Sequence, residues 1–160
     1  MDDQRKAGLM AEAMQEAQLA ADEGNFPFGA VLADAEGRVI AKAHNTQNSD
    51  NDPTAHAEIN LIRQAAKQYG KDDLRQFYLV SNGESCSMCM SAAVKAGIVH
   101  YVFGARAEDF MQPHITARDI AKHCQNPLDL TFDVLAESCQ DQIDAARKAN
   151  SALREDNLYL

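Results

Sequence analysis

Residues 77–80 (Phe, Tyr, Leu, Val) and 99–103 (Val, His, Tyr, Val, Phe) are short β-prone apolar runs, and residues 86–96 between them pattern as a helix. A strand, a helix and a second strand in that order bring the chain back parallel to itself, because neighbouring parallel strands need a crossover of this length. The sheet built on such a pair is covered by helices, which points to an α/β sandwich rather than an all-β or all-α fold.

The remaining patterns fit around that unit. Residues 5–22 place Leu9, Met10, Ala13, Met14, Ala17 and Ala20 at three- and four-residue steps, an amphipathic helix stopped by Gly24 and Asn25. Two apolar runs, 29–33 and 38–41, flank a 34–37 turn in which Gly37 suits a positive φ, so a β-hairpin is expected. Residues 45–53 are polar or turn-forming and read as a loop. Asp52 and Pro53 then offer a capping side chain and a first-turn proline for a helix. That helix would bury Ala55, Ile59, Ile62 and Ala66 and end at Gly70. Beyond Gly104 the patterns predict a short helix over 116–123, a strand over 130–135 and a final helix over 137–153. The sum is a three-layer α-β-α sandwich on a mixed central sheet of about five strands. No repeat, low-complexity tract or linker interrupts the sequence, so residues 1–160 are expected to form a single domain.

Apolar residues make up 46% of the chain and charged residues 24%, an ordinary globular balance. The formal net charge of −9 opposes attraction to nucleic acid and to anionic membranes, and favours a small or neutral partner. The start MDDQRKAG lacks the cationic and apolar segments of a signal peptide, and no apolar run is long enough to span a bilayer. A cytoplasmic protein is expected.

Four cysteines in such a chain suggest metal or redox chemistry more than a disulfide scaffold. Cys86 and Cys89 stand three apart where a helix begins, so both project to one side of its N-terminus, and the macrodipole there favours thiolate. His56 heads another expected helix. Three such ligands leave a tetrahedral zinc ion one open position for water, the catalytic pattern, whereas a structural site closes all four. Glu58, two residues after His56, is the carboxylate placed to take a proton from that water. Cys124 and Cys139 read as buried thiols, and His44, His100, His114 and His123 have no partner spacing that suggests a ligand.

The run from Asp52 to Glu58 (DPTAHAE) followed by Cys86-Ser-Met-Cys89 resembles the cytidine and deoxycytidylate deaminase superfamily, with its H-x-E and P-C-x-x-C signature. Asn45 matches a substrate-binding Asn of the guanine deaminase and tRNA adenosine deaminase branches, and residues 27–30 (Pro, Phe, Gly, Ala) look like their first strand's opening. The resemblance covers roughly residues 5–155. It implies one zinc ion per chain on His56, Cys86 and Cys89, a proton shuttle at Glu58, and hydrolytic release of ammonia from an amino-heterocycle. It also implies ring contacts from Asn45 and the Ala57 backbone N–H, a pocket lined by Phe26 and Phe28, and a homodimer. Of the two branches, guanine deaminase is the nearer match, because Phe28 stands where the tRNA branch tends to carry a smaller aliphatic residue. A free nucleobase or nucleoside, guanine or a relative, is the expected substrate. The alternatives are a tRNA adenosine deaminase and a catalytically impaired zinc module closed by a further ligand such as Cys124.

The chain departs from the family at Ser85, which replaces the proline before the first zinc cysteine; serine is able to cap the helix that follows. Asp109, Asp119 and Glu155 are candidate acidic contacts for an amidine edge. The apolar end at 157–160 is a candidate for reaching a neighbouring site.

Overall fold

The computed structural model describes residues 1–70, 74–107 and 113–153. A long helix, α1 (Asp3–Asp22), precedes a hairpin of β1 (Gly29–Ala33) and β2 (Val39–His44). A single-turn helix, α2 (Gln47–Asp50), leads into α3 (Ala57–Tyr69). Then β3 (Tyr78–Gly83), α4 (Ser87–Lys95) and β4 (His100–Ala105) form the predicted strand, helix and strand. The chain closes with α5 (Ala117–Lys122), β5 (Asp129–Thr131) and α6 (Ala136–Ala149).

The five strands form one sheet in the order β2-β1-β3-β4-β5. β1 is antiparallel to both β2 and β3, while β3, β4 and β5 run parallel, so the sheet is mixed as expected. Alternation along each strand separates the two layers of core. Ala30, Leu32, Leu79, Tyr101 and Phe103 face the helices α3, α4 and α5, where Leu61, Ala65, Met90, Ala93 and Ala117 meet them. Val31, Ala33, Val80 and Val102 face α1 and α6 and pack on Leu9, Met10, Ala13, Cys139 and Ile143. Gly29 is fixed by this packing. A Cβ there would lie 2.2 Å from the Ala13 carbonyl and 2.4 Å from the Ala17 nitrogen, so α1 rests directly on the β1 backbone.

Three expectations change in the structure. The 45–53 segment is not all loop, because α2 forms within it, held by Asn25, whose Oδ1 accepts from the Asn48 and Ser49 N–H groups at 3.0 Å each. The helix expected from Asp52 and Pro53 begins instead at Ala57. The Asp52 carboxylate accepts from the Thr54 N–H at 2.8 Å and its hydroxyl at 2.7 Å, making a local turn rather than a helix cap. The buried face of α3 is Ala57, Glu58, Leu61 and Ala65, with Ile59 also buried and Ile62 and Ala66 only half so. The strand expected over 130–135 ends at Thr131, because Asp133 (φ 65°) and Leu135 (φ 52°) adopt left-handed backbone that no strand continues through.

Candidate metal centre

Two helices start side by side over the sheet, and their N-cap residues are His56 for α3 and Cys86 for α4. Cys86 lies three residues beyond the end of β3, so the parallel strand sets its position, and Cys89 lies in the first turn of α4. His56 Nδ1 lies 3.7 Å from Cys86 Sγ and 3.5 Å from Cys89 Sγ. The three ligand atoms all fall within 4.8 Å of one another. A tetrahedral zinc ion with Zn–S of about 2.3 Å and Zn–N of about 2.0 Å sets its sulfur and nitrogen ligands roughly 3.6 Å apart. The cluster therefore fits zinc in both donor type and spacing.

Electrostatics in the cluster favour a metal site. The hydrogen bond from Cys89 and the neighbouring His56 hold the Cys86 thiol well below its usual range against the effect of burial. The bond to Cys86 and burial push the Cys89 thiol up. Burial pulls His56 down, but the Cys86 sulfur beside it outweighs this and raises its affinity for a proton. A divalent cation replaces these shared protons and neutralises two sulfurs at once.

Glu58 sits in the first turn of α3, 6% exposed. Burial and then the Cys86 charge raise its proton affinity, with His56 and the Ser85 hydroxyl opposing them. Ala57, fully buried, is the first residue of α3, where a helix N–H has no partner inside the helix.

Asn45 follows β2 and is 1% exposed. Its N–H donates to the Phe28 carbonyl at 3.0 Å, which ties it to the pocket-side candidate Phe28. Its side chain is engaged locally: Oδ1 accepts from the Gln47 N–H at 3.0 Å and Nδ2 donates to Gln47 Oε1 at 2.7 Å. Phe28 is half-buried, its ring against Gly83, where a Cβ would come within 2.9 Å of it. Phe26 is buried at 5% exposure.

Two supporting residues carried no signal in the sequence. Asn82, fully buried at the β3 end, accepts from the Gly29 N–H at 2.9 Å and donates to the Pro27 carbonyl at 3.0 Å, fixing the segment between Phe26 and Phe28. An Asn before a Gly reads as a turn pair, and only the cross-strand partners reveal its use. Glu84, buried beside the cysteine turn, accepts from the N–H groups of Ala107 at 3.2 Å and Ala117 at 3.0 Å, anchoring the start of α5.

Other candidates fall elsewhere. Ser85 does not cap α4: Cys86 holds that position without a side-chain hydrogen bond, and Ser85 Oγ is buried without a partner. Asp119 forms a capping box with Thr116 and an ion pair with Lys122 at 2.8 Å, so its carboxylate is engaged within α5. Asp109, Glu155 and the apolar end at 157–160 lie outside the described residues. Cys124 donates to the Ile120 carbonyl at 3.4 Å and Cys139 lies in the α1/α6 core. Neither is among the grouped ligands, so among the described residues no fourth ligand closes the site. His44 bridges Glu16 and Glu23 at 3.0 and 3.1 Å, and His100 meets Asp129 at 3.0 Å.

Comparison with known proteins gives a consistent result. A family model described as the cytidine and deoxycytidylate deaminase zinc-binding region matches residues 3–105. A tRNA-specific adenosine deaminase of Haemophilus influenzae is 34% identical over 139 residues, 84% of this chain and 79% of that protein. A guanine deaminase of Bacillus subtilis is 44% identical over a shorter 66 residues, 41% of this chain and 42% of that protein. The chain spans less than two thirds of several other curated relatives, covering 16% of the tRNA(Ile)-lysidine synthase of Deinococcus radiodurans and 59% of the tRNA-specific adenosine deaminase of B. subtilis. Among solved structures, one from work on A-to-I editing by tRNA:A34 deaminases superposes with a TM-score of 0.74 at 30% identity, covering 84% of this chain and 98% of that one.

Proposed function

The chain belongs to the cytidine and deoxycytidylate deaminase zinc-binding family; from that premise we propose that it is a zinc-dependent hydrolytic deaminase that acts on a free nucleobase or nucleoside, guanine or a related amino-heterocycle. The observation that carries this reading is charge. The chain has 15 basic against 24 acidic residues. Two cations near the centre in sequence face carboxylates, Arg63 on Asp52 at 3.9 Å and Arg106 on Asp133 at 2.7 Å. A phosphate backbone needs such cations for itself.

His56, Cys86 and Cys89 hold the metal in this proposal, and zinc, when bound, supplies a water activated at neutral pH. Glu58 takes one proton from the attacking water and gives it to the adjacent ring nitrogen, then takes the remaining proton of the added hydroxyl and gives it to the departing amino group. A carbon–oxygen bond forms, the carbon–nitrogen bond breaks, and the amine leaves as ammonia. Burial raises the proton affinity of Glu58, which favours its holding a proton between transfers. The Ala57 N–H donates to an exocyclic oxygen of the ring. Asn45 bonds the ring with its Nδ2 after exchanging the Gln47 side chain, and Phe26 and Phe28 shape the walls. A cytoplasmic homodimer belongs to the same reading.

A second reading, a tRNA adenosine deaminase, is favoured by the long match to the H. influenzae relative. Ammonia release from aminated purines, pyrimidines and triazines, with and without ribose, separates the two when run beside a tRNA anticodon stem-loop. Turnover of a free base or nucleoside, with no retardation of the stem-loop at low salt, is the expected result. Turnover of the stem-loop alone would overturn it.

A further inference from the structure

Gly83 is the last residue of β3 and is buried, yet its backbone does not adopt the positive φ that calls for glycine. Glycine weakens a strand, so its place there has to be explained by space. Phe28 takes that space. A Cβ on Gly83 would lie 2.9 Å from Phe28 Cε1 and 3.1 Å from Phe28 Cδ1, so the edge of the ring rests where a side chain would stand.

Strand register explains the meeting. Ala30 pairs with Ser81 in the antiparallel β1–β3 ladder, and Gly29 pairs with His44 in the β1–β2 ladder. Continued outward, the two registers set Phe28 opposite Gly83 on one side and Asn45 on the other, one row across the sheet. Phe28 alternates with Ala30 and Leu32 onto the face covered by α3, α4 and α5, at the end of the sheet that leads into Cys86.

The Phe28 backbone is pinned. Its N–H donates to the Phe26 carbonyl at 2.8 Å and its carbonyl accepts from the Asn45 N–H at 3.0 Å. Asn82 holds the residues on either side, the Gly29 N–H at 2.9 Å and the Pro27 carbonyl at 3.0 Å. Bulk at position 83 is therefore met by rotation of the ring rather than by retreat of the chain, and the ring turns away from β3 toward Asn45.

We propose that Gly83 is a specificity-determining residue: the space it leaves seats the edge of the Phe28 ring in the sheet and keeps the pocket wide enough for a two-ring purine base. The inference rests on the reading of Phe28 and Asn45 as walls of the substrate pocket, and it narrows the substrate class to purine bases or their nucleosides. A ring displaced toward Asn45 takes width that the second ring of a purine needs and a pyrimidine or triazine does not.

The test is a double-mutant cycle on zinc-loaded proteins: wild type, Gly83→Ala, Phe28→Val and the two combined. On the best purine of the panel, Gly83→Ala lowers kcat/KM by about 10- to 100-fold, the scale of one methylene too many in a pocket. On the single-ring compounds, read as turnover or as competitive inhibition, the change stays within about twofold, as for groups that do not interact. Adding Gly83→Ala to Phe28→Val also costs no more than about twofold on the purine, because valine no longer fills the space. Zinc content is equal in all four proteins. Melting temperatures supply a readout that needs no substrate. Gly83→Ala melts below wild type, whereas in the Phe28→Val background the same change is neutral or stabilising, since an accommodated alanine restricts the unfolded chain.

Equal effects of Gly83→Ala in the two backgrounds, in rate or in melting, would overturn the proposal. So would best turnover of a single-ring compound, or loss of zinc from Gly83→Ala. Turnover of the anticodon stem-loop alone would count against the small-substrate reading only: its adenine is also a two-ring base, and the same cycle run on the stem-loop still decides the role of Gly83.

Discussion

Helices α1 and α5 begin with their free N–H groups satisfied, whereas α3 and α4 do not. Asp2 caps α1 by accepting from the Arg5 N–H at 2.8 Å, and Thr116 with Asp119 forms a reciprocal capping box on α5. In α3 and α4 the N-cap residues are His56 and Cys86, and neither side chain bonds back to its helix. The same physics serves two ends. Capping side chains consume the positive end of a helix for stability, while a metal ligand in that position leaves the dipole and N–H groups facing the site. The N-cap residues of α2 and α6 also make no side-chain cap, so what sets α3 and α4 apart is that their N-cap residues are a histidine and a cysteine brought side by side.

The comparison can be broken at either kind of helix, with different consequences. Cys86→Ser should have the largest effect. Changes one shell out from a metal cost about 10- to 100-fold in affinity, so loss of a ligand should abolish stoichiometric zinc, read by metal analysis, and with it ammonia release. Glu84→Gln exchanges one of the two acceptors that anchor Ala107 and Ala117, and should lower stability by about 1–3 kcal/mol in denaturant titration while zinc is retained. Thr116→Ala removes the α5 capping box and should lower stability by about 1 kcal/mol without changing zinc content or rate.

That third difference should depend on pH. Lys122 first, then Thr116, hold the Asp119 carboxyl well below the usual range, so its contribution is present above the ordinary carboxylate pKa and is lost as pH falls through the lowered value. The gap between wild type and Thr116→Ala should therefore narrow in acid. Asp2→Ala should have the smallest effect, about 0.5 kcal/mol, because the cap is exposed.

Much of this division was legible in the sequence. The order of strand, helix and strand around Cys86, and the spacing of His56, Glu58, Cys86 and Cys89, predict the sheet and the cluster because both depend on local period and on ligand type. The start of α3 was not legible. Asp52, Pro53 and Thr54 carry every local sign of a helix beginning, and only the folded chain shows Asp52 bonding Thr54 and the helix waiting for His56. Asn82 and Glu84 carry no local sign for a different reason: their partners, Gly29 and Pro27 for one, Ala107 and Ala117 for the other, are all distant in sequence. The resemblance makes Asn45 a candidate ring contact, and its bonds to the Gln47 side chain and N–H are a local arrangement that periodicity does not reveal.

In the proposed mechanism Glu58 performs proton transfer at a metal held by His56, Cys86 and Cys89. The direct test is ammonia release by Glu58→Gln loaded with zinc, measured against wild type on the same substrate. The account predicts one zinc per chain in both proteins and a loss of at least about 100-fold in kcat for the variant, the scale of a lost general acid–base group. Wild-type turnover by a zinc-loaded Glu58→Gln protein would contradict it.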